Sequence, residues 1–222
     1  MSTSPKIVII YCEGQTEEHF IKEILAPYFE EKQIILSAKI CNTESKGSGG
    51  VSKYSKIKGE IEKLCGSNKH AIITTMLDYY GLPKDTEGYI KNINSNLLTD
   101  DISKIEKAIF KDIRYKNFIP NLILHEFEGL LFSKPEAFSC ISNSSQKKIN
   151  ELGEIKKDFP TPEHINNSFE KKPSARIENI YPSYKKIIDG ITIAKKIGIE
   201  NIRKECPHFE EWLKNIEEKC AG

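Results

Sequence analysis

Four acidic residues stand where short apolar runs end. Glu13 follows Ile7-Val8-Ile9-Ile10, in the segment Tyr11-Cys12-Glu13-Gly14-Gln15-Thr16-Glu17. Asp78 follows the run 71–77, in Thr75-Met76-Leu77-Asp78-Tyr79-Tyr80-Gly81. Glu126 and Glu128 follow the run 118–124, in Leu124-His125-Glu126-Phe127-Glu128-Gly129. Carboxylates gathered in one place repel each other unless a cation neutralises them. Oxygen donors select hard ions, here Mg²⁺ or Mn²⁺. Such ions activate water and stabilise both oxygens of an in-line phosphoryl displacement. The pattern therefore points to metal-dependent phosphodiester hydrolysis, with Glu13, Asp78, Glu126 and Glu128 as the candidate metal ligands. Each acid taken alone reads more simply as a helix cap or a solvated loop residue. Their recurrence at three strand ends is what gives the pattern weight.

Converging carboxylates need strands that run the same way. The β-branched run at 7–10 has the composition of a strand buried on both faces. Thr16 is a suitable N-cap for a following helix, with Glu17 and Glu18 in its first turn. Phe20, Ile21, Ile24, Leu25, Tyr28 and Phe29 form the apolar face of that helix. Further strands are expected over 34–40, 71–77 and 118–124, the last with Pro120 near its start. Helices are expected over 53–65 and, more polar, over 85–113, and residues 46–50 read as a loop. The β-α-β-α-β-α-β order implies a mostly parallel sheet covered by helices, and such sheets bind ligands at the carboxyl ends of their strands. From about Ser133 the chain reads as helices interrupted by Pro160, Pro162 and Pro173, including 187–197 and a last helix whose apolar face is Phe209, Trp212, Leu213 and Ile216. The expected organisation is an α/β domain over 1–132 with a helical C-terminal extension over 133–222 packed on it.

The bulk numbers bound the function classes. Among 222 residues, 38% are hydrophobic and 29% charged, which is enough to fill a core. A net charge of +1 does not by itself announce a polyanion partner. Only Arg114, Arg176 and Arg203 are arginine, so each calls for a local reason. The six cysteines form no CxxC pair, which argues against a zinc site or a disulfide framework. MSTSPK lacks the apolar core of a signal peptide, and no apolar run approaches bilayer length. A cytoplasmic protein with no membrane association is expected.

Several residues around the acids have two readings. Glu17 reads either as a through-water metal contact or as favourable charge at a helix start. His125 reads as a proton carrier or as a packed polar residue. Tyr79 and Tyr80 read as base-stacking rings or as core and rim aromatics, with the core favoured for Tyr79. Arg176 reads as a phosphate contact that stabilises transferring charge, or as a structural salt bridge. Cys206-Pro207-His208 has poor zinc spacing and fits helix-start packing better. Cys12 is blunted as a nucleophile by the carboxylate beside it.

The segments Glu13-Gly14-Gln15-Thr16-Glu17, Asp78-Tyr79-Tyr80-Gly81-Leu82-Pro83 and His125-Glu126-Phe127-Glu128-Gly129-Leu130-Leu131-Phe132 resemble a bacterial family once filed as a domain of unknown function, the AriB-like proteins. Pro173-Ser174-Ala175-Arg176 and Cys206-Pro207-His208-Phe209-Glu210-Glu211-Trp212 fit the same family. These proteins resemble Toprim domains, whose fold is Rossmann-like. A Toprim domain places a glutamate after strand one and an Asp-x-Asp after strand three. The resemblance puts Glu13 and Asp78 in the first two places, while Tyr80 stands where the second aspartate belongs, so Glu126 or Glu128 must supply a further oxygen. Family members often have lysine at the place of Ala175. The resemblance implies a nuclease effector of PARIS anti-phage systems, held by an ABC-type ATPase and acting on tRNA. The expected catalytic set is Glu13, Asp78, His125, Glu126, Glu128 and Arg176, with Mg²⁺ or Mn²⁺ and a nucleic-acid substrate, tRNA favoured. A second copy of the chain is a further candidate partner. One rival reading is a non-catalytic module docked on an ABC-type ATPase. The other, a phosphotransferase, has no Gly-x-x-x-x-Gly-Lys loop behind it.

Overall fold

The computed structural model describes residues 5–41, 53–89, 99–166 and 171–222. Strand β1 (Lys6–Cys12) lies between β2 (Ile34–Ile40) and β3 (Ala71–Asp78), and β3 is followed by β4 (Phe118–Ile119). A fifth strand, β5 (Leu122–Ile123), also pairs with β3, and every pairing is parallel. The protein is thus α/β, with a five-strand parallel sheet, helices on its faces and a helical C-terminal half, consistent with a Rossmann-like fold.

The strand expected over 118–124 is broken into β4 and β5. Pro120 has no N–H for the ladder, and Asn121 bonds to Thr75 through side chains instead. The Thr75 hydroxyl donates to the Asn121 carbonyl at 2.7 Å and accepts from the Asn121 N–H at 2.8 Å. The helix after β1 begins two residues earlier than expected. Gly14, not Thr16, is its N-cap, and α1 (Gln15–Phe20) runs through a π-helical turn (Ile21–Leu25) into α2 (Ala26–Glu30). Helix α3 spans Tyr54–Ser67. The helix expected over 85–113 is α4 (Thr99–Ile113), while 85–89 form turns that include Gly88 at φ 76°. The rest of that expectation, 90–98, and the loop expected at 46–50 lie outside the described residues.

The C-terminal half comprises α5 (Glu128–Leu131), α6 (Gln146–Lys157), α7 (Pro173–Ile180), α8 (Ile188–Ile197), α9 (Ile199–Glu205) and α10 (Pro207–Ala221), with short 3₁₀ turns between some of them. Side-chain alternation along the strands splits the sheet into two faces. Ile73 and Leu77 face a core shared with Ile57 and Ile61 of α3 and Ile105 and Ile109 of α4. Val8, Ile10 and Met76 face a larger core, shared with Phe20 and Ile21 and with Leu130, Ile193, Phe209, Trp212 and Ile216. The helical half therefore has no separate core against α1; it completes the one over the sheet. Trp212 Nε1 reaches the sheet itself and donates to Thr74 Oγ1 at 2.9 Å. Among the described residues no helix is long and apolar enough to cross a membrane.

Candidate acidic site at the strand ends

The parallel strands deliver their acids to one edge. Glu13 follows β1, and its carboxylate lies near enough to the backbone of Asp78, the last residue of β3, for that backbone to lower its pKa against the larger effect of burial. It also lies against Gly81, where a Cβ would stand 2.8 Å from the Glu13 Cδ. Gly81 is the glycine this site requires, because any side chain there would push Glu13 aside. Gly14, by contrast, has an extended backbone (φ −153°) and ordinary space for a Cβ, so no tight turn depends on it.

Glu17 turns back from the first turn of α1, and its Oε2 accepts the Gly14 N–H at 2.9 Å. It is buried, the Glu13 charge raises its pKa and its own charge raises that of Asp78, so it is both helix cap and member of the acid cluster. Glu126 is held rigidly. Lys172 Nζ lies 2.7 Å from its Oε1, and the Ser174 N–H donates to its Oε2 at 3.1 Å. Burial raises the pKa of Glu126, but the bonds to Lys172 and Ser174 outweigh it, and Glu126 stays below the usual carboxylate range. Glu128 opens α5, is only 2% exposed, and pairs with Lys186 Nζ at 3.0 Å.

Four of the five carboxyl groups carry raised pKa values, and burial is the first cause in each case. For Asp78 the charges of Glu17, Glu13, Glu128 and Glu126 add to burial and take it well above the usual range. Its Oδ1 is occluded and has no hydrogen-bond partner among the described residues. Lys186 is the opposing charge. Its pKa is raised by Glu128, Glu126 and Asp78 against burial, and its side chain remains 45% exposed. Five acids thus face two lysines, Lys172 and Lys186. Sequence reading passed over both lysines, since each is one of many in a lysine-rich chain. Only the packing of the helical half over the strand ends distinguishes them.

The other candidates separate. His125 is 2% exposed, and its ring stacks on Tyr80 at 5.6 Å between centroids. Burial and His164 push its pKa down to about 4, so the buried imidazole is neutral near pH 7. It supports Tyr80 rather than facing water. Tyr79 is buried and stacks on Tyr89 at 5.6 Å. Arg176 does not join the acids: its Nε donates to the Lys171 carbonyl at 2.6 Å and its guanidinium lies over the Phe159 ring at 5.2 Å. Those contacts turn it into a separate cavity of about 350 Å³ that also includes Asp158 and Asn179. Cys12 is pushed up to about 12 by burial and by Glu17 and Glu18. Cys206 is the N-cap of α10, whose first N–H groups, on His208 and Phe209, are taken by the Glu163 carboxylate at 3.0 and 2.9 Å.

The donor set suits a hard divalent cation: all oxygen, negative in excess, with one occluded and unpartnered carboxylate oxygen. Among the described residues no three His, Cys, Asp or Glu groups stand arranged about one point. Mg²⁺ commonly takes one or two protein carboxylates and fills its shell with water and substrate phosphate. Glu13 and Asp78, close enough for the Glu13 charge to raise the Asp78 pKa, can form such a pair.

A family model described as Domain of unknown function (DUF4276) matches residues 12–217, a span that includes all five acids and both lysines. No curated protein and no solved structure matches the chain.

Proposed function

We propose that this chain, which belongs to the DUF4276 family, is a divalent-metal-dependent phosphodiesterase of the Toprim kind that hydrolyses nucleic acid. The resemblance to AriB-like proteins favours RNA, tRNA in particular, and a role as an anti-phage effector held by an ABC-type ATPase. The observation that supports the chemistry is the charge imbalance around the strand ends: an Asp78 carboxyl on which the charges of four other acids act, two lysines, and an Asp78 oxygen without a hydrogen-bond partner among the described residues.

Glu13 and Asp78 would hold Mg²⁺ or Mn²⁺, which supplies Lewis acidity at a phosphoryl oxygen. Glu126, charged and clamped by Lys172 and Ser174, keeps a fixed negative wall beside them. Glu17, with its raised pKa, is suited to take up a proton released as water attacks phosphorus. Lys186 has a half-exposed side chain, whose ammonium group can turn from Glu128 to a non-bridging phosphate oxygen. That assigns to Lys186 the part first given to Arg176. His125, buried and neutral, carries no proton in this scheme.

Wild-type protein with Mn²⁺ should cleave RNA, and chelator should stop it. Glu13→Gln should lower the rate at least a hundred-fold while the circular dichroism spectrum stays unchanged. Cleavage that persists in chelator would remove the metal from the proposal. The second reading, a non-catalytic module docked on an ATPase, draws on the lysines that already offset part of the acid charge. Stable capture of a purified ATPase partner by a protein inert toward RNA would favour it.

A further inference from the structure

Tyr80 is half in water yet firmly held. Its residue exposure is 42%, so apolar burial is not what fixes the ring. The His125 imidazole stacks on it with an interplanar angle of 26°. The Tyr79 ring tilts against it at 6.0 Å, and the buried Asn166 side-chain N–H donates to its hydroxyl. Tyr80 is the middle residue of the 3₁₀ turn Tyr79–Gly81, two residues after Asp78 and directly before the glycine on which Glu13 rests. An aromatic surface is therefore fixed in advance beside the carboxylates, and such fixing lowers the entropic cost of binding a flat partner.

We propose that the exposed part of the Tyr80 ring is a stacking platform for an unpaired nucleobase next to the phosphodiester held at the acid site. This rests on the phosphodiesterase reading and narrows its substrate to single-stranded or looped nucleic acid. Bases within a duplex are already stacked on both sides, and only a base splayed out of the helix can use such a platform. Tyr80 is then a specificity-determining contact, and its occupation of the place of the second Toprim aspartate exchanges a metal ligand for a base contact.

The test uses the full chain, a single-stranded oligoribonucleotide and the same strand in a duplex, both with Mn²⁺. Wild type should cleave the single strand in preference to the duplex. Tyr80→Leu should raise KM for the single strand roughly ten-fold with kcat little changed, the size expected for loss of one base–aromatic stack. Tyr80→Phe, which keeps the ring and loses the Asn166 bond, should retain the wild-type KM. In chelator, where nothing is cut, the emission of Tyr80→Trp should be quenched by the single strand and not by the duplex. Wild-type cleavage combined with an unchanged KM in Tyr80→Leu overturns this inference alone. A wild-type protein that cleaves neither strand overturns the phosphodiesterase reading, and this inference with it.

Discussion

Asp78 is a carboxylate placed where a carboxylate costs the fold. Burial and four neighbouring acids raise its pKa, so the folded protein holds a proton there that the unfolded chain releases. The sign follows: stability is lost as pH rises above the unfolded value near 3.9, and the loss persists at neutral pH unless a cation compensates. Asp78→Asn should accordingly stabilise the protein in chelator at pH 8, by about 1–3 kcal/mol, the usual cost of a buried unsatisfied polar group. Mn²⁺ should raise the melting temperature of wild type and leave that of Asp78→Asn unchanged. A variant less stable than wild type in chelator would mean that Asp78 is a structural partner rather than a strained ligand. The strand-end places of Glu13 and Asp78 were legible in the sequence because each stands within three residues of the end of an apolar, β-branched-rich run. Lys172 and Lys186 were not, since nothing local separates them from the chain's other lysines. Arg176 misled because its rarity was real, but its reason is a carbonyl and a phenyl ring. Arg203 has the stronger local reason, a network with Glu210, Glu217 and Tyr28 that ties α9 and α10 to α2.

At the scale of elements, the strands were legible almost to the residue where they are continuous, since a buried parallel strand has a composition no surface helix shares. The fourth failed where tertiary contacts override local preference, at the Thr75–Asn121 bridge. The start of α10 shows how the helical half is locked on. Glu163 takes its first N–H groups, and His208 Nε2 lies 3.0 Å from Glu106 of α4. Burial alone would depress the His208 pKa, but the hydrogen bond and charge of Glu106, with Glu163 behind it, raise it. Its contribution to stability is therefore full below the unfolded value near 6.5 and is lost as pH rises through the folded value. Urea unfolding of wild type and His208→Gln from pH 6 to 9 should show a difference that is largest at the acid end and shrinks as pH rises. A constant difference would place the pair outside the pH response.

Over the whole molecule, the site is assembled from two halves that differ in kind. The sheet's strand ends supply Glu13 and Asp78, and the helical half supplies Glu128 and the lysines that answer the acids, through Lys172 at the start of α7 and Lys186 just before α8. The shared core over the sheet keeps the halves in register, so cation and carboxylate meet although Glu13 and Lys186 are far apart in the chain. The α/β order was legible from alternating patterns of strand and helix, whereas the closure of the helices over the acids depends on long-range packing that no local pattern encodes. The claim on which the account stands is that this excess of carboxylates is a divalent-cation centre. Anomalous scattering from a crystal soaked in Mn²⁺ tests it most directly. The account predicts a manganese peak within coordination distance of both Glu13 and Asp78. A map with no peak there, and Lys186 still paired with Glu128, would contradict it.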